Sequence, residues 1–192
     1  FTKSSSFKSL KISLFIYFMS IKEIITVPDD TLKKISEPIE KIGLNEKKLI
    51  HDLLETMYHS KGIGLAAVQV GILKRILVID VSSKNEKKNP MIFINPVIKN
   101  VSNETSVYEE GCLSIPDTFI EIERPKRCEV EYVNLKGKKK LLKCDGLLST
   151  CLQHEINHLD GKLILDDLSK LKRDFIIKKI SKLKQKSERI IV

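Results

Sequence analysis

The segment HEINH, residues 154–158, constrains the fold of this chain more than any other feature of its sequence. Its two histidines are four residues apart, so on an α-helix both imidazoles lie on one face and can reach a single divalent metal ion. Glu155 lies beside the first histidine, where a carboxylate can accept a proton from a metal-bound water. The neighbouring Leu152 and Leu159 predict that the helix is largely buried. The pattern is typical of a metal-assisted hydrolase built around this helix.

Two histidines alone do not complete a catalytic metal site, and the pattern also arises by chance in ordinary core or surface helices. A catalytic zinc-type site uses three protein ligands and leaves one position open for water. No histidine follows His158, and the single downstream glutamate, Glu188, lies in a lysine-rich tail, which disfavours the metalloprotease ligand patterns. The better candidate is Cys112 in EGCLS, residues 110–114, where Gly111 permits a tight turn that presents a thiolate. One cysteine and two histidines suit zinc, iron(II), cobalt or nickel.

A third segment, GIGLAAVQ at residues 62–69, combines two glycines, two alanines and a glutamine. The glycines permit close approach of another backbone, and Gln69 could polarise a carbonyl as a neutral donor. Taken alone, the segment is equally consistent with an ordinary tight loop between a helix and a strand.

In this order, the three segments resemble the signature motifs of the peptide deformylase family, GΦGΦAAxQ, EGCΦS and HEΦDHΦxG, where Φ is apolar. The resemblance extends over residues 20–184 and includes INP at residues 94–96 and DGLL at residues 145–148. It implies an α+β fold with antiparallel sheets packed around the central metal-binding helix, followed by a C-terminal helix. It also implies an enzyme that removes the formyl group from the N-terminal formylmethionine of nascent polypeptides and releases formate.

The resemblance implies a role for each residue that matches a motif. Cys112, His154 and His158 match the ligands of one divalent metal ion, with Fe²⁺ favoured and Zn²⁺, Ni²⁺ or Co²⁺ as alternatives. Glu155 matches the general acid and base of the reaction.

The remaining matches concern the oxyanion and the substrate. Gln69 and the backbone N–H of Leu113 match the groups that stabilise the oxyanion. A further set matches positions that contact the formyl group or line the methionine pocket, and ordinary core packing would explain most of this set equally well. Its members are Ile63, Gly64, Tyr108, Glu110, Leu147, Thr150 and Cys151.

Two residues depart from the family pattern. Asn157 stands where the third motif usually has aspartate, and we expect Arg124 to be its neighbour in space. An asparagine would weaken that contact, because it lacks the charge of a carboxylate. Phe119 stands where some relatives carry arginine near the peptide-binding cleft, so peptide preference beyond the first residue is left open.

Composition predicts one intracellular domain. The chain has 192 residues, of which 42% are hydrophobic, enough for a single core. No apolar run approaches the ~18 residues that span a membrane. The four cysteines form no CxxC pair, which favours a reducing compartment. We expect a cytoplasmic monomer, and the resemblance implies a catalytic domain at residues 19–168 followed by a basic C-terminal helix at residues 169–192.

Hydrophobic periodicity and turn residues predict the main elements. The turn of the predicted hairpin is NLKG, residues 134–137. The predicted elements are a helix over 45–59, strands over 75–81 and 91–97, a hairpin of 121–135 with 139–143, a helix over 146–158 and a helix over 168–191.

Both ends of the chain are unusual. The C-terminal helix carries lysines along one side, which is most often a solvated face, and apolar residues along the other. The apolar residues are Leu171, Phe175, Ile176, Ile180 and Leu183. Because the implied substrate is a nascent chain, the ribosome or its rRNA becomes a candidate partner for these lysines. Residues 1–18 lack acidic side chains and turn apolar before Met19. They are consistent with an organelle transit peptide, a signal-like sequence or an incorrectly assigned start, and we expect them to be poorly ordered and dispensable.

Three classes of function remain open at the level of sequence. The first is a deformylase acting on N-formylmethionyl peptides. The second is another metallohydrolase such as a peptidase, which the missing downstream ligand disfavours. The third is a basic RNA- or ribosome-binding protein with a structural metal, which a closed site with four protein ligands would favour over an open one.

Overall fold

The computed structural model describes residues 20–83 and 86–190, with side chains as far as residue 184. The expectations for residues 1–18 therefore lie outside the described residues. Within these ranges the chain forms three α-helices, α1 (Leu44–His59), α2 (Gly146–Leu159) and α3 (Lys170–Ile190). The strands in the same ranges are β1 (Gly64–Ala66), β2 (Ile76–Ile79), β3 (Met91–Val101), β4 (Thr105–Cys112), β5 (Ile115–Pro125), β6 (Arg127–Val133) and β7 (Lys139–Asp145).

The strands form two antiparallel sheets. The larger sheet has the order β1-β2-β3-β6-β7, and β4 pairs with β5 in a separate two-stranded sheet. Helix α2 packs on the larger sheet and also touches β5 of the smaller one. This arrangement confirms the predicted α+β fold with antiparallel sheets around the HExxH helix.

Burial of α2 follows from its apolar residues. Leu152, Ile156 and Leu159 are almost fully buried against the larger sheet, where they meet Phe93 and Val130. Each such side chain stabilises the fold by about 1.5–3 kcal/mol. This packing holds the helix, and with it both motif histidines, between the two sheets.

Helix α1 is amphipathic, as its periodicity predicts. Its first turn is stabilised by the side chain of Glu46, whose Oε2 accepts the backbone N–H of Gly43 at 2.8 Å. Leu49, Leu53 and Met57 are buried on one side of the helix. The helix therefore covers the part of the larger sheet that α2 leaves open, with Leu65 and Val78 in the shared cluster.

The predicted helices over 45–59 and 146–158 are confirmed to within one residue. The predicted hairpin with its turn at residues 134–137 is confirmed, because β6 pairs with β7 on either side of that turn. Its first strand, predicted over 121–135, is wrong, because the chain forms two strands there that belong to different sheets. β5 ends at Pro125, which has no N–H to continue a ladder, and β6 then pairs with β3. The break between β5 and β6 is decided by the strand with which each segment pairs, and not by local propensity.

The C-terminal helix is confirmed as a helix, but its buried side differs from the one predicted. Ile180 is buried in a cluster with Ile176 beside it. Leu171, Phe175 and Leu183 were expected on the same side and are instead exposed. Among the described residues, no helix is long and apolar enough to cross a membrane.

Candidate metal centre and active site

Three side chains from two elements converge between the sheets. Helix α2 supplies His154 and His158, one turn apart, and Cys112 is the last residue of β4. The register of β4 with β5 shifts between Gly111 and Cys112, which breaks the regular strand pairing at the cysteine. The donor atoms of Cys112, His154 and His158 all lie within 4.8 Å of one another, and both histidines are buried.

The donor spacing fits one metal ion. The Sγ atom of Cys112 is 3.2 Å from Nε2 of His158, which is 3.2 Å from Nε2 of His154. Metal–nitrogen bonds of about 2.0–2.1 Å would put two imidazole nitrogens about 3.3–3.4 Å apart at tetrahedral angles. Burial lowers the pKa of His158 well below its usual value, so its ring is neutral and has a lone pair to offer. These three residues could therefore hold a metal with one position left open.

A buried carboxylate orients the first histidine. Oε2 of Glu110 accepts the Nδ1–H of His154 at 2.8 Å, which leaves Nε2 as the ring nitrogen that faces the other two donors and can bind a metal. Arg124 donates to the same carboxylate through Nε at 2.6 Å and Nη2 at 2.9 Å. Burial alone would raise the pKa of Glu110, but the hydrogen bonds from His154 and Arg124 outweigh it and lower that pKa. Glu110 is thus ionised, and it fixes both the tautomer and the ring position of His154.

Gln69 presents its amide N–H groups to the metal site. Its Oε1 accepts the backbone N–H of Ala66 at 2.8 Å, which fixes the amide orientation. Nε2 then donates to Oγ of Ser114 at 3.2 Å and lies 3.8 Å from Sγ of Cys112. With the side chain almost fully buried, the amide is a pre-oriented donor beside the cysteine.

Glu155 lies on α2 next to the first histidine and faces the cavity. Burial raises its pKa to about 7, close to neutrality. Its Oε2 is buried and finds no hydrogen-bond partner among the described residues, which leaves it available to a water or a substrate. A Cβ placed on Gly64 would lie 2.9 Å from both Cδ of Glu155 and Sγ of Cys151, so only glycine fits at this position of β1. The arrangement suits a general base.

A cavity of about 570 Å³ joins these groups. Its floor contains Glu155, His154 and Cys112, and its rim carries the exposed ring of Phe119. The cavity is large enough for a side chain and part of a peptide backbone, and two of the three candidate metal donors, Cys112 and His154, lie at its base.

Comparison with known proteins identifies the family. The model of the family described as polypeptide deformylase matches residues 21–174. The chain belongs to the polypeptide deformylase family. A peptide deformylase of Pelagibacter ubique is 59% identical over 174 residues, which are 91% of this chain and 100% of that protein. A crystal structure of peptide deformylase from Ehrlichia chaffeensis has a TM-score of 0.84 at 44% identity, covering 88% of this chain and 99% of that one. A second structure of the Ehrlichia protein, in complex with actinonin, has a TM-score of 0.82 at 46% identity, covering 85% of this chain and 98% of that one.

Every deformylase position predicted from the motifs lies at this site. The three expected ligands are the three converging donors. The oxyanion and substrate candidates all line the cavity, namely Ile63, Gly64, Gln69, Tyr108, Glu110, Leu113, Leu147, Thr150 and Cys151. Glu110 differs from the others, because its carboxylate binds Arg124 and His154. It therefore orients His154, the expected metal ligand, and does not act directly on a molecule in the pocket.

The expected contact between Arg124 and Asn157 is wrong. Among the described residues, no hydrogen bond joins them, and the guanidinium binds Glu110 instead. The physical reason is that the buried guanidinium needs a full charge to offset its desolvation, and Glu110 supplies one. Asparagine at position 157 therefore leaves the support of His154 intact. Ser114, the last letter of the second motif, was missed as the acceptor for Gln69, although its place in the motif could have revealed it.

Proposed function

We propose that this enzyme hydrolyses the formamide of N-formylmethionyl peptides, releasing formate and a free N-terminal amine, with a metal ion held by Cys112, His154 and His158. The observation that carries the proposal is the position of Glu155. Its carboxylate has an oxygen without a hydrogen-bond partner among the described residues, and it lines the same cavity as Cys112, His154 and Gln69. A base, a donor and an open metal site in one cavity are what hydrolysis of an amide requires.

The chemistry divides between the metal and the protein. When bound, a divalent ion would lower the pKa of a water ligand and polarise the formyl oxygen. Glu155 accepts the proton of the attacking water and later delivers it to the leaving amine. Gln69 and the backbone N–H of Leu113 donate to the developing oxyanion, each contributing ~3–4 kcal/mol to transition-state stabilisation.

The donor set admits several metals, and the resemblance of the motifs favours one of them. A thiolate and two imidazoles accept Zn²⁺, Ni²⁺ or Co²⁺ as well as Fe²⁺, and we propose Fe²⁺. A thiolate-ligated ferrous ion is prone to oxidation, so protein purified in air should lose iron and activity. High activity after long exposure to air, with zinc as the only metal present, would contradict this assignment.

The pocket suits an unbranched apolar side chain. Ile63, Leu147 and Cys151 contribute apolar lining beside Tyr108, and a methionine side chain would be desolvated there. A relative's structure contains actinonin, and we propose that the same ligand binds in this cavity. Competitive inhibition against the formyl peptide would support that placement, and purely noncompetitive inhibition would contradict it.

The deciding experiment measures formate release from formyl-Met-Ala-Ser by anaerobically prepared, iron-loaded protein. We expect rapid release from this peptide and none from Met-Ala-Ser. In Glu155→Gln we expect metal content to be unchanged and turnover to fall by about 10²–10⁴-fold, the usual contribution of a positioned base. Undiminished turnover in the metal-loaded variant would remove Glu155 from its role. No release from folded, metal-loaded wild-type protein would refute the proposed reaction.

We also propose that α3 docks the enzyme on the ribosome. Ile180 anchors the helix, while Lys178, Lys179 and Lys182 are exposed beside it. Lysines without neighbouring base-reading groups suit phosphate contacts, so association should weaken steeply with salt. Replacing the three lysines by glutamine should abolish co-sedimentation with ribosomes without changing turnover of a short peptide. Association that is insensitive to salt and to these substitutions would contradict the proposal.

The domain assignment follows from the same proposal. Residues 19–168 would carry the whole catalytic site, and residues 169–192 would form the basic helix used for docking. Monomeric state and cytoplasmic location stay predictions. Size-exclusion chromatography with light scattering would test the first, and fractionation of cells would test the second.

A further inference from the structure

Two cysteines outside the metal site lie directly opposite each other in the larger sheet. Cys128 of β6 and Cys144 of β7 are register partners. Their Sγ atoms are 3.2 Å apart, and both residues are free thiols. Directly opposed residues of an antiparallel pair have Cα atoms about 4.5–5.5 Å apart, which lies within the range that a disulfide spans. A disulfide between them would therefore need movement of the sulfur atoms and little movement of the backbone.

A cavity lies beside this pair in the sheet. A shallow cavity of about 400 Å³ is lined by both cysteines together with Asn100, Arg127 and Lys143. Cys128 and Cys144 are 2% and 8% exposed. Burial of this extent excludes a large thiol reagent from direct contact, so the oxidant must be a molecule as small as a peroxide.

The two thiols differ in reactivity. The hydrogen bond with Cys144 lowers the pKa of Cys128 to about 7, with further help from the hydroxyl of Ser149, and the same contact raises the pKa of Cys144. Ser149 lies near the N-terminus of α2, where the helix dipole also favours a thiolate. Sγ of Cys144 also donates to the backbone carbonyl of Cys128 at 3.3 Å, a contact that keeps the proton on Cys144. We therefore assign Cys128 as the nucleophile of the pair and Cys144 as the resolving thiol.

We propose that Cys128 and Cys144 form a peroxide-reactive dithiol site that closes to a reversible disulfide between β6 and β7. The Cys128 thiolate attacks one peroxide oxygen, the O–O bond breaks, and protonation gives a sulfenic acid and water. The Cys144 sulfur then attacks the Cys128 sulfur, the S–O bond breaks, and a second water leaves. In total two thiols and one hydrogen peroxide give one disulfide and two waters, so the sulfurs supply the two electrons that the peroxide takes up.

The bridge would lie behind the helix that carries the metal ligands. Both cysteines pack in the same cluster as Leu152 and Ile156 of α2. The closed loop contains the β6–β7 hairpin and joins residues sixteen positions apart. The expected consequence is a stiffer connection between the larger sheet and the start of α2, independent of whether the proposed deformylation takes place.

The test treats the full-length, zinc-loaded protein with hydrogen peroxide and maps its cysteines by mass spectrometry after alkylation and trypsin digestion. Trypsin cuts beside Arg127, Lys136, Lys143 and Lys162, so the bridge would join peptide 128–136 to peptide 144–162. We expect this pair at a mass two hydrogens below the sum of the free peptides, and dithiothreitol should separate it. Peptide 144–162 also contains Cys151, which makes Cys151→Ser the matched control.

The linked pair should persist in Cys151→Ser and disappear in Cys144→Ser, where Cys128 should instead be recovered as an oxidised monothiol. Three results would overturn the proposal. The first is recovery of both thiols in reduced form after the peroxide has been consumed. The second is oxidation of Cys128 to a sulfinic acid without any bridge in the native chain. The third is loss of the bridge in Cys151→Ser together with its retention in Cys144→Ser.

Discussion

Replacing Glu110 by glutamine tests how the protein supports its metal ligand. The carboxylate accepts three hydrogen bonds, two from Arg124 and one from His154. Glutamine keeps the size but has one oxygen and one NH₂ group. If the NH₂ group takes the Oε1 position, it faces the Nε–H of Arg124, donor against donor. If it takes the Oε2 position, it faces the Nη2–H of Arg124 and drives His154 toward the tautomer whose Nε2 carries a proton.

The magnitude follows from burial. Arg124 is 7% exposed and Glu110 is 6% exposed, so removing the negative charge leaves a buried guanidinium uncompensated. Breaking one partner of a buried pair costs about 3–5 kcal/mol of stability. Loss of the hydrogen bond that orients a metal-bound histidine weakens metal affinity by about 10–100-fold. The lowered pKa of Glu110 means that this stabilisation is complete above the unfolded value near 4.5 and is lost as pH falls through the folded pKa.

Two measurements at neutral pH separate these effects. Urea unfolding of the metal-free proteins gives the free energy of unfolding, and competition with a chelator for Zn²⁺ gives the affinity. Glu109→Gln is the matched control, because it makes the same change one residue away at an exposed position of β4. If Glu110→Gln has the same free energy of unfolding and the same Zn²⁺ affinity as Glu109→Gln, then the carboxylate does not support His154, and the reasoning from the hydrogen bonds is wrong.

Three further predictions follow from particular contacts and from ligand linkage. Gly64→Ala should displace Glu155 and lower kcat by about 10²-fold at unchanged metal content, the expected result of misplacing a reacting group by about 1 Å. In the control Gly43→Ala, the added methyl group meets only the end of a flexible side chain. This variant should keep full activity in the formate assay. Burial raises the pKa of Asp80, but hydrogen bonds from Ser82 and Tyr58 outweigh burial and lower that pKa. Tyr58→Phe should therefore lower the free energy of unfolding by about 1.5–3 kcal/mol and move the onset of acid unfolding to higher pH. An unchanged pH of acid unfolding would show that the Tyr58 hydroxyl does not stabilise the Asp80 carboxylate. Removing the metal by dialysis against a chelator should lower the free energy of unfolding by about 2.7 kcal/mol relative to protein with free metal at a hundred times its Kd. A midpoint of thermal unfolding that does not depend on metal concentration would show that the ion binds the folded and unfolded chains alike.

The elements that were predicted correctly are those with local causes. Helix α2 combines an apolar side with two histidines at helical spacing, so periodicity alone locates it and places both rings on one face. Helix α1 likewise follows from Leu49, Leu53 and Met57. In both cases the residues that decide the structure are within a few positions of one another, so the pattern is visible without knowledge of any tertiary contact.

The contacts that were missed are long-range. Arg124 lies opposite Ser106 in the β4–β5 register, yet its side chain reaches Glu110, four residues farther along β4. No pattern in the sequence distinguishes that partner from Asn157. The break between β5 and β6 is of the same kind, because it depends on which neighbouring strand each segment joins.

By itself the sequence determined the chemistry that we propose for this protein, since the three motifs contain the proposed ligands, base and oxyanion donor together with the helix that presents two of those ligands. Only the tertiary structure decided how these groups are held: which carboxylate orients His154, which hydroxyl receives Gln69, and which cysteines face each other across the sheet. The physical reason is that residue types set what a side chain can do, whereas its partner is selected by packing between segments far apart in the chain, and burial makes an unsatisfied partner too costly to leave.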